Sequence, residues 1–352
     1  MKEMIKPLKE MSLEELWELF PIYLEEYNFQ WKKWFLKEQK SLWKLLGNHA
    51  LTIRHGGSTA VEGLVAKPTV DIFAEMDWEY PEEAVIQRLE HNGWILMTGG
   101  DWRASSRLLL GKGYTEHGFE EKVFHLHLRK NGDCPELYFR DYLRKHGETA
   151  AEYGKLKEKL SREYRHDRDG YTEAKGSFVK TYTEKGRKEF APRYGYGSIE
   201  EYRGNKKELM PLLLLGDEQE SMIHRYLEQG NIFVCLLDGK LVAECVVVDG
   251  EDSSSEIKNL AVFPEFQRLG CGKRLLNHVA VQCAGKGKEW LYVGTGETRE
   301  TLSFYESCGF VYSHRLKDFF LQYDPPVVDR GVLLRDMIML KKRLNISKNK
   351  RK

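Results

Sequence analysis

The sequence predicts an α/β (α+β) protein built from two domains, and two observations carry that expectation. The chain has 352 residues, more than one hydrophobic core usually serves. Strand-like and helix-like apolar spacings also alternate on both sides of a stretch that has neither. That stretch, residues 189–207, includes "APRYGYGSIEEYRGNKK", with Gly, Pro, Tyr and charge but no apolar period. The expected domains are residues 1–188 and 208–352, joined by 189–207.

Taken in order, residues 13–46 carry Leu, Trp, Tyr and Phe at helical spacing. "ALTIRHGGSTAVEGLVAKPTVDIFAEMD" reads as strand, Gly-rich turn, short helix or loop, and strand. Residues 82–92 read as helix, while "WILMTGG", "SRLLLGKGYT" and "KVFHLHLRK" read as strands. Tyr138 to Lys188 reads as helical. After the linker, "LMPLLLL" reads as a strand, 217–228 as a helix and "NIFVCLL" as a strand. A hairpin at Asp238-Gly239 leads into "LVAECVVV". "SEIKNLAVF" is a further strand, followed by a helix from Gly270 to Ala284, the strand "EWLYVGT", a helix over 299–308 and strand material up to Leu340.

Composition narrows the function. A formal net charge of +1 supplies no global basic field for nucleic acid. No apolar run approaches the roughly 20 residues of a membrane span, and the N-terminus has no signal-peptide apolar block. Cys134, Cys235, Cys245, Cys271, Cys283 and Cys308 form no CxxC pair and have no zinc-spaced His partner. Reduced, buried thiols in a cytoplasmic protein without nucleic-acid or membrane partners are the expectation. The basic tail "SKNKRK" reads as a solvated end.

In "NLAVFPEFQRLGCGKRLL" a strand meets a Gly-rich turn and then a helix. Free N–H groups and the helix dipole make such a junction attractive to anions. Gly270 and Gly272 remove the Cβ that would keep a bulky anion away, and Arg268 and Lys273 add charge. Downstream, "TLSFYESCGF" ends a helix at Cys308-Gly309 with Tyr305 one turn earlier.

Together these motifs resemble the GNAT acetyltransferases over about residues 208–342. The resemblance implies a GNAT fold, a mixed sheet splayed between its central strands, with acetyl-coenzyme A as cofactor. It implies backbone contacts from Leu260, Ala261 and Val262 to the pantetheine arm. It also implies contacts from Gln267, Arg268, Leu269, Gly270, Cys271, Gly272 and Lys273 to the phosphates. Acyl transfer to an amine must dispose of a proton and accommodate a leaving thiolate. The resemblance offers Tyr305 as the acid and Glu256 as the general base. A solvent-facing Glu256, with water as the base, stands as the other reading. Glu297 and Thr298 replace the Asn that such proteins often carry ahead of the tyrosine helix, with Thr298 a candidate cap. The tail "KDFFLQYDPPVVDRGVLLRDMIML" resembles a bacterial GNAT subgroup. Its Asp318, Asp324, Asp329 and Asp336 suggest either an acidic mouth for a cationic amine or a solvated loop.

In the first half, "IRHGGSTAVEGLVAKPTVDIF", "FHLHL", "YFRDYLRKH", "YGKLKEKL" and "YTEAKGSFV" occur in the order of the GrpB-like family, a branch of the nucleotidyltransferase superfamily. That resemblance covers about residues 20–185. It implies a nucleotidyltransferase-like mixed sheet with flanking helices, Gly57-Ser58 opening a phosphate-holding helix, and Asp71 on the next strand. Two-metal chemistry needs several carboxylates at one point. Phe73 stands where strand alternation would aim the second, and Arg54 replaces a Glu that often precedes the His. His125 and His127 share a strand face near Asp71. They read either as a buried hydrogen-bonded pair or as ligands of a transition metal. Gly57, Ser58, Lys67 and Asp71 are the candidate anion site. Asp71, His125 and His127 are the candidate divalent-metal site. Lys67, Lys112, Arg140 and Lys175 either line an anionic pocket or lie on the surface.

Three functions follow as expectations. The first is an acetyl-coenzyme A-dependent N-acetyltransferase acting on a small, cationic amine, with an accessory GrpB-like domain. The second is a bifunctional enzyme of aminoglycoside-modifying type, transferring acetyl and nucleotidyl groups. The third is a binding module that senses acetyl-coenzyme A. Neither the acceptor nor the oligomeric state is encoded in any motif.

Overall fold

A computed structural model describes residues 6–76, 82–98, 107–130, 132, 134–329 and 331–344. Gly99, Gly100 and Ser106 of the expected strands, and the "SKNKRK" tail, lie outside the described residues. The chain divides into two compact units, Met1–Gly195 and Tyr196–Lys352.

In the N-terminal unit the long helical stretch is two helices, α1 (Leu13–Leu19) and α2 (Gln30–Leu46). Pro21 lies in the segment between them, where the Ile22 amide bonds Arg165 and Glu25 bridges to Ala66. Strand β1 (Ala50–Gly56), β2 (Thr69–Met76), helix α3 (Glu82–Glu90), β3 (Ile95–Thr98), β4 (Arg107–Thr115) and β5 (Gly118–Lys130) follow. Among the described residues the sheet order is β1-β2-β5-β4-β3. Only β2 and β5 are parallel, with Asp71 opposite His125 and Phe73 opposite His127. Trp31, Phe35, Leu42 and Leu46 of α2 recur at helical spacing and bury against Val70, Ile72 and Leu126 of the sheet. Helices α4 (Pro135–Lys145), α5 (Gly147–Glu163), α6 (Arg168–Ala174) and α7 (Gly176–Phe190) complete the unit.

The expected linker is ordered structure divided between the units. Tyr194 is buried, its amide bonded to the Tyr138 hydroxyl at 3.0 Å and its own hydroxyl to Arg140 and Asp141. Residues Gly197–Glu201 form β6, an edge strand of the second sheet. Aromatic anchoring and edge pairing with residues 233–237 leave no periodic signal in so short a segment.

The C-terminal unit continues with a 3-10 turn at Lys206–Leu209 and helix α8 (Met210–Leu213), where a strand was expected. Pro211 sits in the first turn, where its missing N–H costs nothing. Leu209, Leu212 and Leu213 are buried while Leu214 and Leu215 are exposed, a helical pattern that an unbroken leucine run hides. The order is then α9 (Glu220–Leu227), β7 (Asn231–Leu237), β8 (Lys240–Asp249), β9 (Ser254–Val262), α10 (Cys271–Gly285), β10 (Trp290–Gly296), α11 (Arg299–Ser307), β11 (Val311–Leu316), the short β12 (Val328–Asp329) and β13 (Val332–Leu333), and β14 (Met337–Arg343). The main sheet runs β11-β14-β10-β9-β8-β7-β6. Strands β9 and β10 are parallel neighbours, and the remaining pairs are antiparallel.

Candidate functional site

The parallel pair β9/β10 opens at its C-terminal end. Pairing holds from Ser254/Trp290 to Ile257/Val293 and then stops, although β9 runs on to Val262 and β10 to Gly296. β8 stays paired with β9 as far as Val262. The stretch holding Leu260, Ala261 and Val262 therefore has one backbone edge turned toward a gap, which an extended ligand can pair with.

At the mouth of that gap lies the turn. Gly270 caps α10 with φ +87°, a left-handed conformation that favours glycine. Arg268 also has positive φ and is exposed, as is Gln267. The Gln267 side chain donates to the Val262 carbonyl at 3.3 Å and so ties the turn to the end of β9. At Gly272 an added Cβ would come within 3.2 Å of the Phe304 ring, so this glycine also lets α11 pack close. The first amides of the 15-residue helix α10 face outward by geometry. Lys273 differs from expectation: its side chain is buried, with Cys308 in its electrostatic reach. Arg268 is the exposed charge of this turn, and the Lys273 side chain is not.

Tyr305 is buried on α11, edge-on to Phe310 at 5.7 Å. Burial raises its hydroxyl well above an ordinary phenol, and Cys245, Cys308 and Glu244 act in the same direction. Cys245 pairs with Leu260 and Glu244 with Ala261, which brings Tyr305 to the level of the opened part of β9. Glu256 precedes the opening, opposite Tyr292, and is half-buried in a 2.7 Å ion pair with Lys258. Thr298 occupies the cap position of α11, but its hydroxyl meets that of Thr301 and caps no backbone amide.

The residue that sequence reasoning missed is Glu244. It is fully buried, and among the described residues neither carboxylate oxygen has a hydrogen bond of good geometry. Burial pushes its pKa up to about 8, which the nearby Ala261 amide offsets only in part. A second missed carboxylate, Asp217, accepts from Tyr226 at 3.3 Å and lies in reach of the Tyr323 hydroxyl. Burial raises it as well. The Tyr226 hydroxyl in turn accepts from Asn259 at 2.9 Å, and Asn259 also donates to the Leu213 carbonyl. Tyr323 is held by the Phe320–Met222 cluster, so the "DFFLQY" tail carries part of this acidic network. Of the two readings of the tail aspartates, three of the four fit the solvated loop. Arg335 pairs with Asp318 at 2.5 Å and Arg315 with Asp336 at 3.0 Å, while Asp324 is exposed.

In the N-terminal unit Ser58–Ala60 is a single 3-10 turn, too short to act as the expected phosphate-holding helix. Gly57 has φ +64°, and a Cβ there would run into the Asp71 carboxylate. The turn thus lies directly on the Asp71 side chain. Asp71, His125 and His127 do converge. Phe73, in place of a second carboxylate, stacks on the His127 ring at 4.4 Å and 4°. Lys112 is paired with Glu38 at 2.8 Å. Arg140 is buried, donating to the His55 carbonyl and to Asp141. Neither is a pocket cation. All six cysteines are buried free thiols.

An opened parallel pair, a glycine turn on a helix N-terminus and a buried tyrosine beside it define an acyl-transferring α/β domain, here joined to a second α/β domain. The chain belongs to the GNAT acetyltransferases through its C-terminal unit and to the GrpB family through its N-terminal unit, and it is therefore an acyltransferase. The family model "GrpB protein" matches residues 21–185 and "Acetyltransferase (GNAT) domain" matches residues 228–312. A Bacillus subtilis protein named uncharacterized N-acetyltransferase YvbK is 33% identical over 135 residues, 38% of this chain and 87% of its own. The glutamate-rich protein GrpB of Alkalihalophilus pseudofirmus is 30% identical over 165 residues, 45% of this chain and 91% of its own. A solved Bacillus subtilis acetyltransferase in complex with CoA is 31% identical, covering 42% of this chain and 99% of that one at a TM-score of 0.40. No helix among the described residues is long and apolar enough to cross a membrane.

Proposed function

We propose that the C-terminal unit transfers an acetyl group from acetyl-coenzyme A to the amine of a small cationic acceptor. The observation that carries the reading is Glu244: a fully buried carboxylate with no ion-pair partner among the described residues, in register with the opened part of β9. Once ionised, such a group takes the proton of a neutral attacking amine more readily than an ordinary carboxylate does, because burial favours its protonated form. The gap beside Leu260–Val262 receives the pantetheine arm, and the α10 N-terminus with Arg268 receives the phosphates. The amine attacks the thioester carbonyl carbon; an N–C bond forms and the C–S bond breaks. The proton lost by nitrogen goes to Glu244. The Tyr305 hydroxyl donates a hydrogen bond to the departing thiolate. A phenol raised this far by burial suits donation better than full proton transfer. Glu256, already engaged by Lys258, is the competing base.

The test is release of free coenzyme A thiol, with a panel of diamines, neutral amines and amino acids as acceptors. Turnover is expected with the cationic members. Acetyl-coenzyme A binding without turnover on any amine would leave the sensing module as the reading.

A further inference from the structure

The N-terminal unit holds a second centre, independent of acyl transfer. One oxygen of Asp71, Oδ1, faces two imidazoles: Nε2 of His127 at 3.2 Å and Nδ1 of His125 at 3.5 Å. One donor atom from each of the three lies within 4.8 Å of the others. The His127 contact is within hydrogen-bonding range, but both separations exceed the about 2.7–2.9 Å of charge-assisted bonds. They suit the edges of a coordination tetrahedron, since metal–ligand bonds of about 2.0–2.1 Å place donors roughly 3.3 Å apart.

The rings are oriented from outside. The Tyr114 hydroxyl lies 2.6 Å from His125 Nε2, which leaves Nδ1 as the atom turned toward Asp71. Phe73 fixes the plane of His127. Side-chain exposures of 26, 14 and 24% for Asp71, His125 and His127 leave the centre open to a ligand on one side. Two nitrogen donors and one oxygen donor favour a zinc-like ion over magnesium.

The surroundings are cationic. The Lys67 and Lys175 ammonium groups lie over the Tyr171 ring at 5.5 and 4.2 Å, and neither forms an ion pair among the described residues. Lys157 lies over Tyr153 at 4.8 Å, and the Tyr153 hydroxyl is in reach of Ser58. Arg168 reaches Tyr114. Asp71 is the carboxylate acting on both Lys67 and Lys175. Once a metal engages Asp71, these cations have no counter-charge unless the ligand brings one.

We infer that Asp71, His125 and His127 bind one zinc-like transition-metal ion, and that a phosphate-bearing small molecule completes its coordination with Lys67 and Lys175 matching its charge. No second carboxylate stands at Phe73, so the centre binds such an anion without two-metal nucleotidyl transfer.

The experiment uses the full-length chain after chelation, titrated with Co²⁺ by calorimetry and visible absorption. One equivalent should bind with bands of low coordination number. His127→Gln and Asp71→Asn should each lower affinity by roughly tenfold or more. Inorganic pyrophosphate should then bind the metal-loaded chain tighter than the metal-free chain. Lys67→Met and Lys175→Met should each weaken it by roughly tenfold without lowering Co²⁺ affinity. Melting curves confirm that each variant is folded; should one ligand variant not fold, the other decides. No Co²⁺ binding, or equal binding by the folded ligand variants, would overturn the metal. Equal pyrophosphate affinity with and without metal, or in both lysine variants, would overturn the anion.

Discussion

In the N-terminal unit Lys67, Lys157 and Lys175 are desolvated near one another, and burial lowers them to about 7, 7 and 8. In the C-terminal unit Glu244 is desolvated alone, and burial raises it to about 8. Each unit thus stores ionisable groups that burial drives toward the neutral form, basic in the first and acidic in the second. A bound anion beside the lysines, or a cation beside Glu244, would favour the charged form again. A net charge of +1 over the whole chain conceals both.

The largest expected effect comes from removing the buried hydroxyl level with the opened part of β9. Tyr305→Phe keeps the edge-on packing with Phe310 and deletes the hydroxyl. The kcat should fall by roughly 10²-fold or more, with coenzyme A affinity nearly unchanged. Steady-state kinetics beside calorimetry separates the two. An unchanged kcat would make Tyr305 a packing residue.

Next is the charge itself. Glu244→Gln should lower kcat/KM for cationic amines by roughly tenfold and abolish the rise in activity through pH 8 that ionisation of Glu244 produces. Glu256→Gln should leave that limb in place. The reverse result would move the base to Glu256 and reduce the contrast between units to a matter of folding.

How much of this is legible from sequence depends on the range of the cause. The opened strand pair, the glycine turn and Tyr305 sit in one continuous run from Asn259 to Phe310, so their spacing gives them away. Asp71, His125 and His127 follow from strand alternation once the two strands are taken as neighbours. Glu244 gives no such signal. "AECVVV" is an ordinary strand, and the packing that makes the glutamate internal, with Tyr226 and Tyr305 in its electrostatic reach, comes from residues outside that run. Lys112 could be read as a pocket or a surface cation because its partner, Glu38, lies far away in sequence, and Arg140 likewise because the His55 carbonyl that it reaches does. Helix Met210–Leu213 was hidden because an unbroken leucine run carries neither period.

A moderate effect should appear as opposed pH dependence of stability. Glu244 is raised in the fold, so between its ordinary value near 4.5 and about 8 the folded state holds the extra proton. Its share of stability is present at low pH and is lost as pH rises through that window. The lysines are lowered, so between about 7 and their ordinary 10.5 the unfolded state holds more protons. Their share is lost as pH falls through that window and stays lost below 7. Glu244→Gln should therefore raise the melting temperature by a few degrees at pH 9 and barely at pH 5. Lys175→Met should raise it at pH 6.5 and not at pH 10. Parallel shifts for both variants at both ends would show that neither burial controls stability.

The smallest effect sharpens the comparison by testing charge that is not stored. Asp318 and Asp336 lie in the same unit as Glu244, but Arg335 holds the first at 2.5 Å and Arg315 the second at 3.0 Å, in the open. An exposed, matched pair has little field left for a substrate, because water screens it and its partner already answers it. Asp318→Asn should therefore change the KM of a cationic amine by less than about threefold, and the change should vanish in high salt. The Glu244→Gln effect should persist in high salt, because a buried charge is screened much less. Measuring both variants on one amine at two ionic strengths places the acceptor's electrostatics. If Asp318→Asn proved the costlier change, the amine would be recognised at the surface tail, and Glu244 would be a buried acid without a ligand.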